Sequence, residues 1–281
     1  MPKIPVNGVE LFYEEAGTGR PLIFVHGYAS DFRRNEPQLR YFSRRYRTVS
    51  FSMRGYEPSD TPKDVSKYGF DIVVEDLKGL LDALKIDKAH ICGFSMGGEI
   101  SLSFGMKYPD RVHSLAFAAA GYGSGKPRQT WLAALDKLAD DYDREGMNGP
   151  RGQSYTESWA QTKRKDPRAW AEWKSRYHQY SAVGMANTAR ATSKQRPDIM
   201  TLGDRLKTLD IPTLIILGDE DEPAFEASFY MKKMMPRAGL EVFPRTGHPI
   251  SLEEPDRFNS SLLDFLTAVD TDNWYPVRSA S

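Results

Sequence analysis

Residues 89–98 read AHICGFSMGG, and this stretch decides the fold because it joins a short apolar run to a helical pattern. Gly93 and Gly97 stand two residues before and two residues after Ser95. A chain that turns this sharply from strand to helix holds the serine at strained backbone angles, and small neighbours avoid collisions there. The motif alone is also typical of ordinary turns, but its strand-to-helix setting favours a nucleophile elbow. Ser95 is therefore the candidate nucleophile.

A serine hydroxyl needs a base, usually histidine, and a carboxylate that orients the base. Of the five histidines, His248 stands in a loop between Gly247 and Pro249, after the last predicted strand. A loop suits a base that must reach across to another strand's end. His248 is therefore the candidate base. The remaining histidines are predicted to shape a loop or to be structural or solvated: His26, His90, His113 and His178.

The acid is harder to choose from the residues alone. Four carboxylates in a row, residues 219–222, follow the apolar run 213–217. At most one of them can orient the base, and the pattern does not say which.

Four motifs follow one another along the chain in a specific order. They are Phe24-Val25-His26-Gly27, Gly93-Phe94-Ser95-Met96-Gly97-Gly98, Gly218-Asp219-Glu220-Asp221, and Gly247-His248 followed by Leu252-Glu253-Glu254-Pro255. Together they resemble the α/β-hydrolase superfamily, and within it the esterase, lactonase and C–C hydrolase group that includes 3-oxoadipate enol-lactonases. In that family the acid is the aspartate three residues after the glycine, which implies Asp221, with Asp219 as the runner-up. The chain order serine, aspartate, histidine also fits.

Acyl transfer at Ser95 requires two N–H donors for the developing oxyanion. One is the backbone N–H of Met96, directly after the nucleophile, and the resemblance implies that of Tyr28 as the other. No metal or organic cofactor is expected, because no residues stand at zinc-ligand spacing and Gly17 and Gly19 do not complete a nucleotide-binding fingerprint.

The chain departs from the family at one loop, which usually reads Asp-x-Arg-Gly-x-Gly-x-Ser. Here residues 52–59 place Ser52 where the family has Asp and Glu57 where it has the second Gly. Neither position belongs to the expected triad, so the departure concerns the geometry and salt bridges of the loop.

Strands and helices alternate, which predicts an α/β fold with a mostly parallel sheet covered on both faces. An Asn-Gly pair at positions 7 and 8 adds an antiparallel edge hairpin. Strands are expected over residues 3–6, 9–14, 22–25, 46–52, 89–92, 113–119, 213–217 and 240–243. Helices are expected over residues 36–45, 70–84, 98–108, 224–235 and 255–268.

Between these halves the periodicity is helical throughout, over residues 130–145, 155–163, 167–180 and 182–192. The organisation predicted is a core of residues 1–121, a helical cap of residues 122–200, and a second core part of residues 201–281. Aromatic residues of such a cap usually hold it onto the core, and a few line an apolar pocket. The candidates for that pocket are Tyr122, Trp131, Trp159 and Tyr177.

Composition excludes several classes of protein. With 281 residues and 40% apolar content, the chain can bury the core of one domain with an insertion. Lys and Arg number 38, as do Asp and Glu, so no net positive charge favours nucleic acid. No apolar stretch is long enough for a membrane span or signal peptide, which predicts a cytoplasmic protein. Cys92, the single cysteine, is expected to be buried and inert.

Three function classes fit these residues. The first is a serine hydrolase of carboxylic esters or lactones. The second is a C–C bond hydrolase of ring-cleavage products or a cofactor-free perhydrolase, although perhydrolases of this fold usually carry a proline that residues 28–30 lack. The third is a slow ligand receptor on the same fold. Arg33 and Arg34 are expected to be a solvated face, with a substrate carboxylate site as the alternative.

Overall fold

Eight β-strands form one sheet in the part of the chain that the computed structural model describes, residues 2–126, 128–148 and 160–275. The strands are β1 (Lys3–Val6), β2 (Val9–Ala16), β3 (Pro21–Val25), β4 (Arg47–Phe51), β5 (Ala89–Phe94), β6 (Val112–Ala118), β7 (Thr213–Gly218) and β8 (Ala238–Phe243). Their order across the sheet is β1-β2-β4-β3-β5-β6-β7-β8. The pairs β1–β2 and β2–β4 are antiparallel, and all pairs from β4 through β8 are parallel. The predicted mostly parallel sheet is confirmed.

The edge hairpin β1–β2 turns at Asn7 and Gly8, whose φ angles are 46° and 77°. Two consecutive residues in the left-handed region make the two-residue turn whose twist matches that of paired strands. The hairpin predicted from the Asn-Gly pair is therefore present, with Val6 opposite Val9.

Helices lie between the strands and cover the sheet. They are α1 (Glu36–Phe42), α2 (Phe70–Ala83), α3 (Met96–Lys107), α4 (Arg128–Glu145), α5 (Ala160–Lys165), α6 (Pro167–Tyr177), α7 (Ala182–Asn187), α8 (Gly203–Lys207), α9 (Phe225–Met234), α10 (Ile250–Glu253) and α11 (Pro255–Asp270). The predicted start of α3 at Gly98 is two residues late, because the turn at Ser95 is completed in one residue. The predicted helix over 182–192 is two pieces, since α7 passes into a π-helical segment at Thr188–Ser193.

Each face of the parallel strands buries its own apolar cluster, because side chains alternate along a strand. On β3, Ile23 belongs to one cluster and Phe24 to the other. Leu77 of α2 and Phe104 of α3 pack on the first face, and Phe265 of α11 packs on the second. Cys92 is buried in the second cluster, where burial raises the pKa of its thiol to about 12. The parallel strands, whose carboxyl ends meet at one edge of the sheet, are thus packed on both faces.

Helices α4 to α7 occupy the connection between β6 and β7. They contact the segments that follow the carboxyl ends of β3 and β8: the Tyr28 hydroxyl donates to the Met185 carbonyl at 3.0 Å, and Thr162 Oγ1 donates to Glu253 of α10 at 3.0 Å. Most of the helix predicted over residues 155–163 lies outside the described residues. No helix among the described residues has the length and apolar character needed to cross a membrane.

The loop that departs from the family pattern is anchored by Arg54. Its guanidinium makes two hydrogen bonds, of 2.5 and 2.7 Å, to the carboxylate of Asp76 on α2. Both residues are almost fully buried, at 3% and 1% exposure. Ser52 accepts at its carbonyl a 2.6 Å hydrogen bond from Ser59 Oγ. A buried salt bridge therefore fixes this loop although Ser52 replaces the family's acidic residue.

Candidate active site

Ser95 is the single residue between β5 and α3, and its φ of 51° and ψ of −119° lie in the strained region that an elbow requires. The chain passes so closely that a Cβ on Gly93 would lie 2.3 Å from the Gly97 carbonyl oxygen. A Cβ on Gly97 would lie 2.2 Å from the Val25 carbonyl oxygen. Glycine at both positions is therefore a steric requirement of this turn, as the motif predicts.

His248 connects Ser95 to Asp221. The distance from His248 Nε2 to Ser95 Oγ is 3.1 Å, and that from His248 Nδ1 to Asp221 Oδ2 is 3.0 Å. Because an ionised carboxylate only accepts hydrogen bonds, Nδ1 carries the proton and Nε2 is free to accept one from the serine hydroxyl. The structure thus brings together the three side chains that the sequence nominates. Ser95 is 9% exposed.

The imidazole of His248 lies between two aromatic rings. Its centroid is 4.9 Å from that of Phe94 and 4.5 Å from that of Tyr122. The Tyr122 hydroxyl also donates a short hydrogen bond to Asp221 Oδ1. Both oxygens of the buried Asp221 carboxylate therefore have polar partners, as a buried charge requires.

The neighbouring carboxylates of the acidic cluster make other contacts. Asp219 Oδ1 accepts a 3.1 Å hydrogen bond from the Thr246 N–H. Glu220 accepts a short hydrogen bond from the Gln161 side chain. The contacts therefore distinguish the two aspartates: Asp221 faces His248, and Asp219 binds the backbone of the loop that precedes His248.

Sequence reasoning gave no role to Glu253, yet this side chain fixes the loop of His248. Its carboxylate accepts a 2.8 Å hydrogen bond from the Gly247 N–H and another from Thr162 Oγ1. Burial raises the pKa of Glu253, and the Gly247 N–H opposes the rise. The sequence feature that could have indicated this role is the position of Glu253 in the motif Leu252-Glu253-Glu254-Pro255, which follows His248.

The loop after β3 passes directly beside the nucleophile. A Cβ on Gly27 would lie 3.1 Å from the Ser95 Cβ. The backbone of Tyr28 follows immediately, while the N–H of Met96 is the first of α3 and has no intrahelical carbonyl to bind. The two predicted oxyanion donors thus come from segments that meet at Ser95, where a helix N-terminus favours negative charge.

His26 holds this loop. Its Nε2 accepts a 2.9 Å hydrogen bond from the Met53 N–H, so its Nδ1 carries the proton and donates to the Gly27 carbonyl at 2.8 Å. Complete burial lowers the pKa of His26 to about 4, which keeps the ring neutral. The predicted loop-shaping role of His26 corresponds to these two contacts.

The pocket candidates lie in different surroundings. Tyr122 borders a cavity of about 210 Å³ with His248 and Asp221. Trp131 packs against Gly123 and against the Arg196 guanidinium at 4.5 Å. Tyr177 is buried against Tyr142, with 2.6 Å between the hydroxyl oxygens. Trp159 lies outside the described residues.

The two arginines of the loop after β3 differ in their environment. Arg33 pairs with Asp31 at 2.5 Å. Arg34 is 5% exposed, so the expectation of a solvated face was wrong for it, and its guanidinium lies 3.3 Å from the centroid of the Phe94 ring. Burial lowers the pKa of Arg34 to about 9.

A second Ser-His-Asp chain occurs at the opposite end of β5. Ser114 Oγ lies 2.8 Å from His90 Nδ1, and His90 Nε2 lies 3.1 Å from Asp270. Ser114 is 1% exposed and lies in β6 beside a register shift of the β5–β6 pair, but it lacks the positive φ of Ser95. Of these two Ser-His-Asp chains, the one at the elbow places its serine at a turn beside a helix N-terminus, and the other does not. Among the described residues, no group of three or more His, Cys, Asp or Glu is arranged to hold a metal ion.

Known proteins resemble this chain over most of its length. The model of the family described as alpha/beta hydrolase fold matches residues 20–255. A 2-hydroxy-6-oxononadienedioate/2-hydroxy-6-oxononatrienedioate hydrolase of Paraburkholderia phymatum is 30% identical over 92% of each chain. A putative 2-succinyl-6-hydroxy-2,4-cyclohexadiene-1-carboxylate synthase of Bacillus subtilis is 28% identical over 79% of this chain and 82% of its own.

Solved structures agree with this fold. A thermophilic esterase from Thermogutta terrifontis, solved with malate bound, superposes with a TM-score of 0.86 at 25% identity, over 95% of this chain and 98% of its own. An enol-lactonase from Burkholderia xenovorans gives a TM-score of 0.83 at 24% identity, over 95% of this chain and its whole length.

Proposed function

This chain belongs to the alpha/beta hydrolase fold family, and on that premise we propose that it is a serine hydrolase of a small carboxylic ester or lactone. Ser95, His248 and Asp221 act as nucleophile, base and orienting acid. The observation that carries the proposal is the pair of contacts at 3.1 and 3.0 Å that links a strained serine through one imidazole to a buried carboxylate.

The reaction uses these three side chains in two steps. Ser95 Oγ attacks the carbonyl carbon while its proton passes to His248 Nε2, and the imidazolium then gives that proton to the leaving alkoxide. Water next attacks the acyl-enzyme with His248 as base, which releases the carboxylic acid and restores the serine. Asp221 stabilises the imidazolium in both steps.

We assign the oxyanion hole to the backbone N–H groups of Tyr28 and Met96. Their support is the contact of the Gly27 backbone with Ser95 and the position of Met96 at the start of α3. Removal of one such donor typically lowers turnover by about 10² to 10³.

We further propose that residues 122–200 act as a cap on the core formed by residues 1–121 and 201–281. The contacts of Met185 with Tyr28 and of Thr162 with Glu253 support this division. Under this cap, Tyr122 has direct contact with the triad, whereas the surroundings of Trp131 and Tyr177 favour a packing role.

A second candidate is the hydrolysis of a C–C bond in a ring-cleavage product. The 30% identity to the dienedioate hydrolase over 92% of both chains favours it. The same three side chains would serve, so the choice between the two reactions depends on substrate.

Hydrolysis of short and long p-nitrophenyl esters, lactones and a 2-hydroxy-6-oxodienoate tests both candidates. Ser95→Ala should lower turnover by at least about 10³ and abolish labelling by a fluorophosphonate. Ser114→Ala is the matched control, because it removes the serine of the buried second chain and should leave labelling unchanged. Equal labelling of Ser95→Ala and wild type would refute the proposal, and labelling without turnover of any substrate would favour the receptor.

A further inference from the structure

We infer that Tyr122 is a positioning residue that orients the Asp221–His248 pair, an inference that rests on the proposed function. One side chain touches both members of the pair: its hydroxyl donates to Asp221 Oδ1, and its ring lies 4.5 Å from the imidazole. Residues 121 and 123 on either side are glycines, so the segment that carries Tyr122 needs support from elsewhere.

That support is a buried ion pair. Glu99, on the first turn of α3 after the nucleophile, accepts the Gly121 N–H at 3.0 Å. Arg196 lies 3.2 Å from Glu99 and donates to the Tyr122 carbonyl at 2.8 Å. Both charged side chains are at most 5% exposed. The helix that begins at the nucleophile is thereby connected to the tyrosine that contacts the acid.

The hydroxyl of Tyr122 has a definite electrostatic effect. Hydrogen bonding to a carboxylate stabilises its negative charge and weakens its attraction for a proton or an imidazolium. It also fixes the plane of the Asp221 carboxylate, so that Oδ2 points at His248 Nδ1. Without it, the carboxylate binds the imidazolium more strongly and in a less defined orientation.

Several charged groups near the pair have partners of their own. Glu220 binds Gln161, Glu253 binds the Gly247 N–H, and Lys165 binds Glu254 at 2.6 Å. Asp219 binds the Thr246 N–H, and Arg196 binds Glu99. A change at the Tyr122 hydroxyl therefore acts on the pair directly, while these contacts stay in place.

The test compares Tyr122→Phe with Tyr46→Phe, which removes a similar hydrogen bond, of 2.9 Å, from Tyr46 to Asp270 far from the site. In Tyr122→Phe the acid limb of the kcat/KM profile should move to higher pH. Turnover should fall by about 10- to 100-fold while KM changes by less than about twofold. Tyr46→Phe should match wild type. A raised KM with unchanged kcat and pH midpoint would make Tyr122 a substrate contact only and overturn the inference.

A second readout does not depend on turnover. The proton on His248 Nδ1 should give a downfield NMR signal that His248→Gln removes. That signal should shift in Tyr122→Phe and stay in place in Tyr46→Phe. No shift would overturn the inference, whereas a shift in a protein that hydrolyses no ester, lactone or dienoate would support it and refute the proposed function.

Discussion

The backbone N–H of Thr246 donates a 3.1 Å hydrogen bond to Asp219 Oδ1, so the first aspartate of the acidic cluster is bound to the loop that presents His248. Two aspartates, two residues apart, thus serve the same loop in different ways. Asp219 holds its backbone, and Asp221 contacts the imidazole itself.

This division predicts unequal effects of two matched substitutions. Asp221→Asn should lower kcat by about 10⁴, because an amide in that place favours the wrong tautomer of His248. Asp219→Asn keeps an oxygen that can accept from Thr246, so its kcat should stay within about threefold of wild type. Steady-state kinetics of both variants measure this, and reversed effects would assign the acid to Asp219.

The contact of His248 Nε2 with Ser95 Oγ predicts that His248 is the general base. Wild-type kcat/KM should rise with pH, because only a neutral imidazole can accept the proton of the serine hydroxyl. His248→Gln should abolish activity and that dependence together. His178→Gln is the matched control and should keep the profile. Retained activity with an unchanged profile in His248→Gln would remove it from the triad.

Acid is expected to destabilise the fold through His26. The pKa of His26 is lowered from 6.5 to about 4 by burial, so between these values the unfolded chain binds a proton that the folded chain does not. The unfolding free energy should therefore fall as pH drops through this window, by about 2 kcal/mol at pH 5 from this residue alone.

Urea denaturation of wild type and His26→Leu at about pH 8 and pH 5 measures this contribution. The variant should be less stable at pH 8, because Met53 N–H and the Gly27 carbonyl lose their partner. It should also lose less stability between the two pH values, and an equal loss in both proteins would contradict the assignment. Half-buried His113, whose pKa is also lowered by burial, acts in the same direction and remains in both proteins.

The buried pair Arg54–Asp76 predicts a large effect of breaking it. Asp76→Ala leaves the guanidinium buried without its bidentate partner and should lower the unfolding free energy by about 3 to 5 kcal/mol. Arg40→Ala breaks the exposed pair with Glu36 and should change it by less than about 1 kcal/mol. Similar effects in the two variants, measured by urea denaturation, would show that the loop does not depend on this pair.

The close packing at the elbow predicts that Gly97→Ala lowers the stability and the activity of the protein. The added Cβ would lie 2.2 Å from the Val25 carbonyl oxygen, so β3 or α3 must move, at a cost of about 3 kcal/mol or more. Gly146→Ala is a control at a positive φ of 64°, where no atom of the described residues lies within 4 Å of the added Cβ, and it should cost about 1 to 2 kcal/mol. Thermal unfolding and ester hydrolysis of both variants measure this; a stable, active Gly97→Ala would contradict the steric account.

The strand-to-helix turn at Ser95 and the late loop of His248 could be predicted because each depends on local sequence. The choice among residues 219–222 could not be made from the pattern, because it depends on which carboxylate meets a loop 27 residues later. Tyr122 and Asp221 are 99 residues apart in the sequence, and no periodic pattern predicts that they are in contact. Arg34 illustrates the same limit, since its burial on Phe94 reverses what its charge alone suggests.

His26 joins two loops that are distant in sequence, one that begins at Gly27 and one that contains Met53. An engineer who grafts the loop that begins at Gly27 from a relative must therefore transplant both segments together. If the first loop alone were grafted, its His26 would meet a second loop that differs from the one it contacts in the donor protein. Libraries that recombine these loops should accordingly place their crossover points outside residues 24–54.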